Sequence, residues 1–241
     1  MKKQNIFLIF ICLFFCCINA FSQNSMYGWG RNNFGQLGDG TNINKSIPTQ
    51  IGEESYWILV SCGGSHTAAI KSDGTLWTWG RNNYGQLGDG TNIDRLSPVQ
   101  IGSDNNWSFI SAGVNHTLAI KNDGTLWAWG SNYNGQLGDG TNINRLSPVQ
   151  IGSDNNWTSI SAGDQHSIAI KIDSTLWAWG NNQLGQLGNG TMISSYIPIQ
   201  IGIEDNWSLV TAGENHSLAN KVDGTLWAWG FNNYGQLGDG T

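Results

Sequence analysis

From Met26 onward the chain runs in short bursts of alternating apolar and polar residues, each closed by glycine, and the bursts recur every 50 residues. Residues 107–156 show one unit. Trp107-Ser-Phe-Ile-Ser-Ala-Gly113, His116-Thr-Leu-Ala-Ile-Lys121 and Thr125-Leu-Trp-Ala-Trp-Gly130 each alternate with the two-residue period of a strand. Asn122-Asp123-Gly124 separates the last two, and Asp-Gly between alternating runs predicts a tight hairpin, because glycine reaches positive φ without strain. Asp73-Gly74 and Asp223-Gly224 keep this turn, whereas Asp173-Ser174 departs from it and predicts an altered one. A long loop, Ser131 to Ser147, follows, and Pro148-Val-Gln-Ile151 then reads as a short outer strand, with proline at an edge where no ladder donor is needed.

Trp127 and Trp129 share one face of the third strand and Leu126 and Ala128 the other, so both faces are apolar, as in a sheet packed between sheets. Trp-Gly recurs at residues 29–30, 79–80, 129–130, 179–180 and 229–230. The repeat units are 29–78, 79–128, 129–178 and 179–228, with a partial fifth at 229–241. Four short strands per unit and no helical periodicity predict an all-β propeller of four-stranded blades. Residues 29–41 and 229–241 duplicate one piece, which predicts an incomplete ring, a fragment of a longer propeller.

Residues 1–22 read differently. Lys2 and Lys3, an apolar stretch from Ile6 to Ile18, and small residues at Ala20 and Ser22 have the layout of a secretory signal peptide. This predicts a secreted, periplasmic or cell-surface bacterial protein, with residues 23–241 as the mature array. The apolar stretch is too short for a membrane span. Cys12, Cys16 and Cys17 leave with it, so Cys62 has no intrachain partner and reads as a small packing residue in the slot of Ala112, Ala162 and Ala212. Without the leader, 9 basic residues face 17 acidic ones, which argues against nucleic-acid binding.

The segments Val60-Ser-Cys-Gly-Gly-Ser-His-Thr-Ala-Ala-Ile70, Ile110 to Ile120, Ile160 to Ile170 and Val210 to Asn220, with the Trp-Gly…Gly-Gln-Leu-Gly-Asp-Gly-Thr segments between them, resemble the regulator of chromosome condensation repeat family. The resemblance covers residues 26–241 and implies a propeller, usually of seven blades, that binds through its loops. Nuclear nucleotide exchange and light sensing, both known in the family, are not implied. Export and acidity oppose the first, and Gly113-Val-Asn-His-Thr117 and its copies lack the tryptophan of the second. Asn220, where the other copies carry Ile, departs from the signature and predicts poorer packing at the last hairpin.

His66, His116, His166 and His216 hold the same place in successive units, with no second ligand at metal spacing, and read as structural residues bonded to backbone at the hairpin. Trp79, Trp129, Trp179 and Trp229 read as core rather than as a sugar platform. No metal, cofactor or catalytic set is expected. Ser72-Asp-Gly-Thr-Leu-Trp77 echoes the Asp-box of sialidases without its spacers, and the arginines Arg31, Arg81, Arg95 and Arg145 occupy only two repeat positions, so a hydrolase is disfavoured. Specificity is expected where units differ in register. One slot holds Arg31, Arg81, Ser131, Asn181 and Phe231; another holds Phe34, Tyr84, Asn134, Leu184 and Tyr234, with Tyr133 beside it. A third comprises Glu53 to Tyr56, Ser103 to Asn106 and Ile203 to Asn206. Aromatic and Arg loop residues are frequent interface anchors, so the expected partner is an extracellular protein, with a glycan as the alternative.

Overall fold

The computed structural model describes residues 18–22, 25–52 and 56–241. Among these there is no helix, and the strands form five antiparallel sheets. Blade 1 contains β1 (Ile18–Ser22), β2 (Ser25–Gly30) and β3 (Lys45–Ile51). Blade 2 contains β4 (Trp57–Cys62), β5 (His66–Lys71), β6 (Leu76–Gly80) and β7 (Arg95–Gln100). Blade 3 repeats this as β8 (Trp107–Ala112), β9 (His116–Lys121), β10 (Leu126–Gly130) and β11 (Arg145–Gln150). Blade 4 contains β12 (Trp157–Ala162), β13 (His166–Lys171), β14 (Leu176–Gly180) and β15 (Ser195–Gln200), and blade 5 contains β16 (Trp207–Ala212), β17 (His216–Lys221) and β18 (Leu226–Gly230). The sequence units are offset from the blades, so four copies and a part appear as three four-stranded sheets flanked by two three-stranded ones.

The first strands β4, β8, β12 and β16 lie against one another in succession and form the inner edge of an open array. The fourth strands are outermost. They begin at Arg95, Arg145 and Ser195, three residues before the proline that was expected to open them, because Gly130 pairs with Arg145 across a bulge at residues 128–130. Proline therefore sits inside an edge strand, where its missing N–H faces solvent. The antiparallel meander places the β4–β5 turn and the long β6–β7 loop at one end of each blade, here the upper face. The β5–β6 hairpin and the link to the next blade lie below.

Burial follows the two-faced pattern of the third strand. The Leu126–Ala128 face packs on the next blade with Trp157, Ile160 and Trp179, while Trp127 and Trp129 pack back on Ala68, Ile70 and Leu76. Trp79, Trp129 and Trp179 are fully buried, and Trp229, in the last blade, is half-buried. Cys62 is half-buried against the first junction cluster. Glycine in the Trp-Gly pair is required by geometry: Gly130 has φ of 101°, and a Cβ there would lie 2.7 Å from the Asn115 carbonyl. Ser174 holds the corresponding turn position of blade 4 at φ 60°, the altered turn that Asp173-Ser174 predicts.

Two expectations meet the structure less directly. Residues 1–17 of the expected leader, residues 23–24 and residues 53–55 of the third variable slot lie outside the described residues. Ile18–Ser22, within that leader, pair with β2 from Ile18↔Trp29 to Ser22↔Ser25, in the place that β5 takes in blade 2. A cut after Ala20 or Ser22 would divide or remove β1 and leave β2 paired with β3 through Met26↔Ile51. Asn220 is only half-buried where Ile70, Ile120 and Ile170 are buried, so an amide costs little there.

Candidate protein-binding face

The upper loops are rigid by construction. Asn82, fully buried, donates from Nδ2 to Asp89 Oδ1 (3.0 Å), the Thr91 carbonyl (2.9 Å) and the Ile93 carbonyl (3.2 Å), and its Oδ1 accepts from the Leu87 N–H at 3.0 Å. Asn32, Asn132 and Asn182 repeat the arrangement. Burial opposes ionisation of Asp89, but donors on Thr91, Arg95 and Asn82 outweigh it and hold its pKa below the ordinary value. Asp89 also pairs with Arg95 at 2.6 Å, and Asp139 with Arg145 at 2.7 Å. These asparagines recur in every unit, yet alternation and turn patterns carry no sign of a side chain that organises a loop from inside it.

Each loop is also clamped to the following blade. The Gln86 carbonyl accepts from Thr117 Oγ1 (2.9 Å) and from the Trp129 indole (3.0 Å). With the Thr117 proton committed there, its oxygen accepts from His66 Nε2 at 2.9 Å. This makes His66 the neutral Nε2–H tautomer. His116 and His166 bond Ser167 and Ser217 in the same way, at 3.0 and 2.9 Å. The histidines thus bond hydroxyls across blade junctions, not hairpin backbone as expected. Burial lowers the pKa of all three to about 3, with weaker repulsion between neighbouring rings for His116 and His166. His216 is half-buried and its pKa is lowered by burial. Among the described residues no group of three or more His, Cys, Asp or Glu side chains could hold a metal ion.

On this platform five of the variable residues come together. The Arg81 guanidinium lies 5.0 Å from the Phe34 ring and 6.0 Å from the Tyr84 ring, and Arg31 lies 5.7 Å from Phe34. Tyr133, 62% exposed, meets Tyr84 edge to face at 6.0 Å. The cluster spans the upper loops of blades 1 to 3. Leu184, also exposed, makes no ring contact with it, and Phe231 and Tyr234 form a separate pair on blade 5, 6.0 Å apart. Between these groups Gln165 Oε1 accepts from Asn134 and Asn181, each at 3.0 Å. Beside it burial raises the pKa of Asp164, helped by the charge of Glu214, and neither carboxylate has a cationic partner among the described residues.

The lower face is different in kind. Lys121 Nζ sits 3.9 Å from the Trp127 ring and 4.7 Å from Trp107, and pairs with Asp104 at 2.8 Å. Lys171 and Lys221 do the same in the next blades. Between blades 2 and 3 a groove of about 380 Å³ runs along the outer flank, from Asp89 and Arg95 of the upper loop down past Val99 to Asp104, Trp107 and Trp127.

Four-stranded blades, stacked through tryptophan and clamped by an inter-blade histidine bond, define a repeat β-propeller. The regulator of chromosome condensation (RCC1) repeat profile matches residues 23–70, 73–120, 123–170 and 173–219, and a second profile of the same repeat matches 57–86, 107–136, 157–186 and 207–236. The chain belongs to this family. Its fold is similar to that of human WBSCR16, with a TM-score of 0.81 at 21% identity over 92% of this chain and 61% of that one. It is equally similar to Prp20p of Saccharomyces cerevisiae, with a TM-score of 0.81 at 24% identity over 92% of this chain and 58% of the other. A segment of 51 residues is 41% identical to the ultraviolet-B receptor UVR8 of Arabidopsis thaliana, covering 20% of this chain and 12% of the receptor. The chain thus spans less than two thirds of each of these proteins.

Proposed function

We propose that this chain is a non-catalytic, exported propeller scaffold that binds a protein through the upper loops of blades 1 to 3. The observation that carries the reading is the gathering of Arg31, Phe34, Arg81, Tyr84 and Tyr133 into one patch on a loop platform that is already ordered. Rigid aromatic and Arg side chains lose little entropy on binding and are the usual anchors of interfaces. Prp20p, the yeast RCC1, studied for its binding to Gsp1p and histones and crystallised bound to Kap60, has protein partners on the same fold.

A glycan is the second reading, and the groove with Trp107 and Trp127 favours it. Lys121 already stacks on Trp127, which weakens that reading. A sialidase-type hydrolase finds no support: Arg95 and Arg145 are bound to aspartates within their own loops. Affinity capture with the wild-type chain and with Tyr84→Ala/Tyr133→Ala, run beside a glycan array, tests the proposal. A protein retained only by the wild type supports it; sugar binding indifferent to both substitutions would refute it. Export is checked by amino-terminal sequencing of the protein recovered outside the cytoplasm, which should begin near residue 21 or 23; an intact Met1 in the cytoplasm refutes it.

A further inference from the structure

We infer that Arg81 anchors a side-chain carboxylate of the partner, carried by an extended protein segment that lies across the upper face; this rests on the protein-binding reading above. Three observations converge on Arg81. Arg95 and Arg145, in the same loop family, each spend their guanidinium on an aspartate. Arg81 has no acidic partner among the described residues, and its Nε is buried without a hydrogen-bond acceptor. Its guanidinium carbon lies over the Phe34 ring at 5.0 Å and over the Tyr84 ring at 6.0 Å, and among the described residues Nη1 and Nη2 make no ion pair.

A guanidinium fixed by ring faces has already lost the rotamer freedom that usually weakens an exposed ion pair. The ring quadrupoles compensate its charge only in part, and two parallel N–H donors match the oxygens of one carboxylate. Nε keeps the same surroundings in the free and bound states, so the gain on binding comes from the anion at Nη1 and Nη2. Tyr133, exposed beside Tyr84, offers an apolar shelf for the residue next to that carboxylate. A polyacidic segment does not fit. The chain carries a net charge of −6, and Asp164 and Glu214 lie uncompensated farther along the same face. The favoured segment therefore carries a single acidic residue flanked by apolar ones.

The test is an array of extended peptides with Glu or Gln at a fixed central position and varied flanks, probed with the intact chain. Wild type and Ile172→Gln, altered at an exposed position on the lower face, should both select Glu over Gln by roughly tenfold, the range of a charge-assisted hydrogen bond. Arg81→Gln should lose the preference, and Arg81→Lys, which keeps charge but not the fork, should lose most of it. On the folded wild type, the best Glu peptide should move the Arg81 Nε–Hε resonance. Peptides that depend on Tyr133 but ignore Glu and Arg81 would overturn this inference and leave the binding face standing. Peptides indifferent to both residues, or no binder at all, would overturn both. Inorganic phosphate moving the Arg81 resonance as strongly as the peptide, or a dimer of this chain dissolved by Arg81→Gln, would also overturn it.

Discussion

Thr117 shows how one hydroxyl can hold a blade junction: it donates to Gln86 and accepts from His66, so blades 2 and 3 share a chain of bonds with no free proton. Thr117→Val leaves a buried imidazole N–H unpaired and should cost about 1–3 kcal/mol, read from denaturant unfolding. Trp129→Ala should cost about 3–5 kcal/mol, because it opens a cavity and removes the indole bond to the same carbonyl. Tyr84→Ala, at the upper rim, should change stability by about 0.5 kcal/mol or less. The histidines also set a pH dependence. Their folded pKa of about 3 lies below the ordinary 6.5, so between these values the unfolded chain binds more protons. Stability is then complete above about pH 6.5 and falls toward pH 3, by up to ~1.4 kcal/mol per pH unit for each fully buried histidine. His116→Gln should remove up to ~1.4 kcal/mol per pH unit from the slope between about pH 4 and 6; an unchanged slope would contradict the buried neutral state.

At the scale of the element, the strands were legible because alternation, Asp-Gly turns and Trp-Gly ends all agree in period. The offset between repeat and blade was not, since a tandem repeat has the same period wherever its unit is cut. Nor was the start of the outer strand, where proline at an edge conceals three residues of pairing before it. The candidate patch was legible as variable slots, and Arg81 with Tyr84 emerged from them. What could not be read was which slots touch: Phe34 and Arg81 are 47 residues apart and meet only because successive blades superpose their loops. The β13–β14 hairpin supplies a test of its own. Ser174 is left-handed at φ 60°, where its counterparts are Gly124 at 79° and Gly224 at 86°. Ser174→Gly should therefore stabilise the chain by about 0.5–1 kcal/mol, relief of left-handed strain exceeding the added entropy of glycine. A lower melting temperature would contradict this.

Across the whole molecule, stability is a sum over junctions, as expected when each unit contacts only its neighbours. The central junctions bury Trp129 and Trp179 completely, while Leu226 and Trp227 in blade 5 are 64% and 48% exposed. Hydrogen exchange should therefore be slow in β9, β10 and β13, at the buried junctions, and faster in the exposed outer strands β7 and β11; uniform protection would show an array more cooperative than its junctions suggest. The proposed function follows the same division, with packing inside the stack and recognition assigned to its upper face. Site-specific photo-crosslinking resolves the faces directly, with a benzoylphenylalanine placed at exposed Tyr133 above or at Ile172, 75% exposed, below. A protein adduct formed from position 133 and not from 172 is the predicted result; an adduct from 172 alone, or equal adducts from both, would contradict an upper binding face.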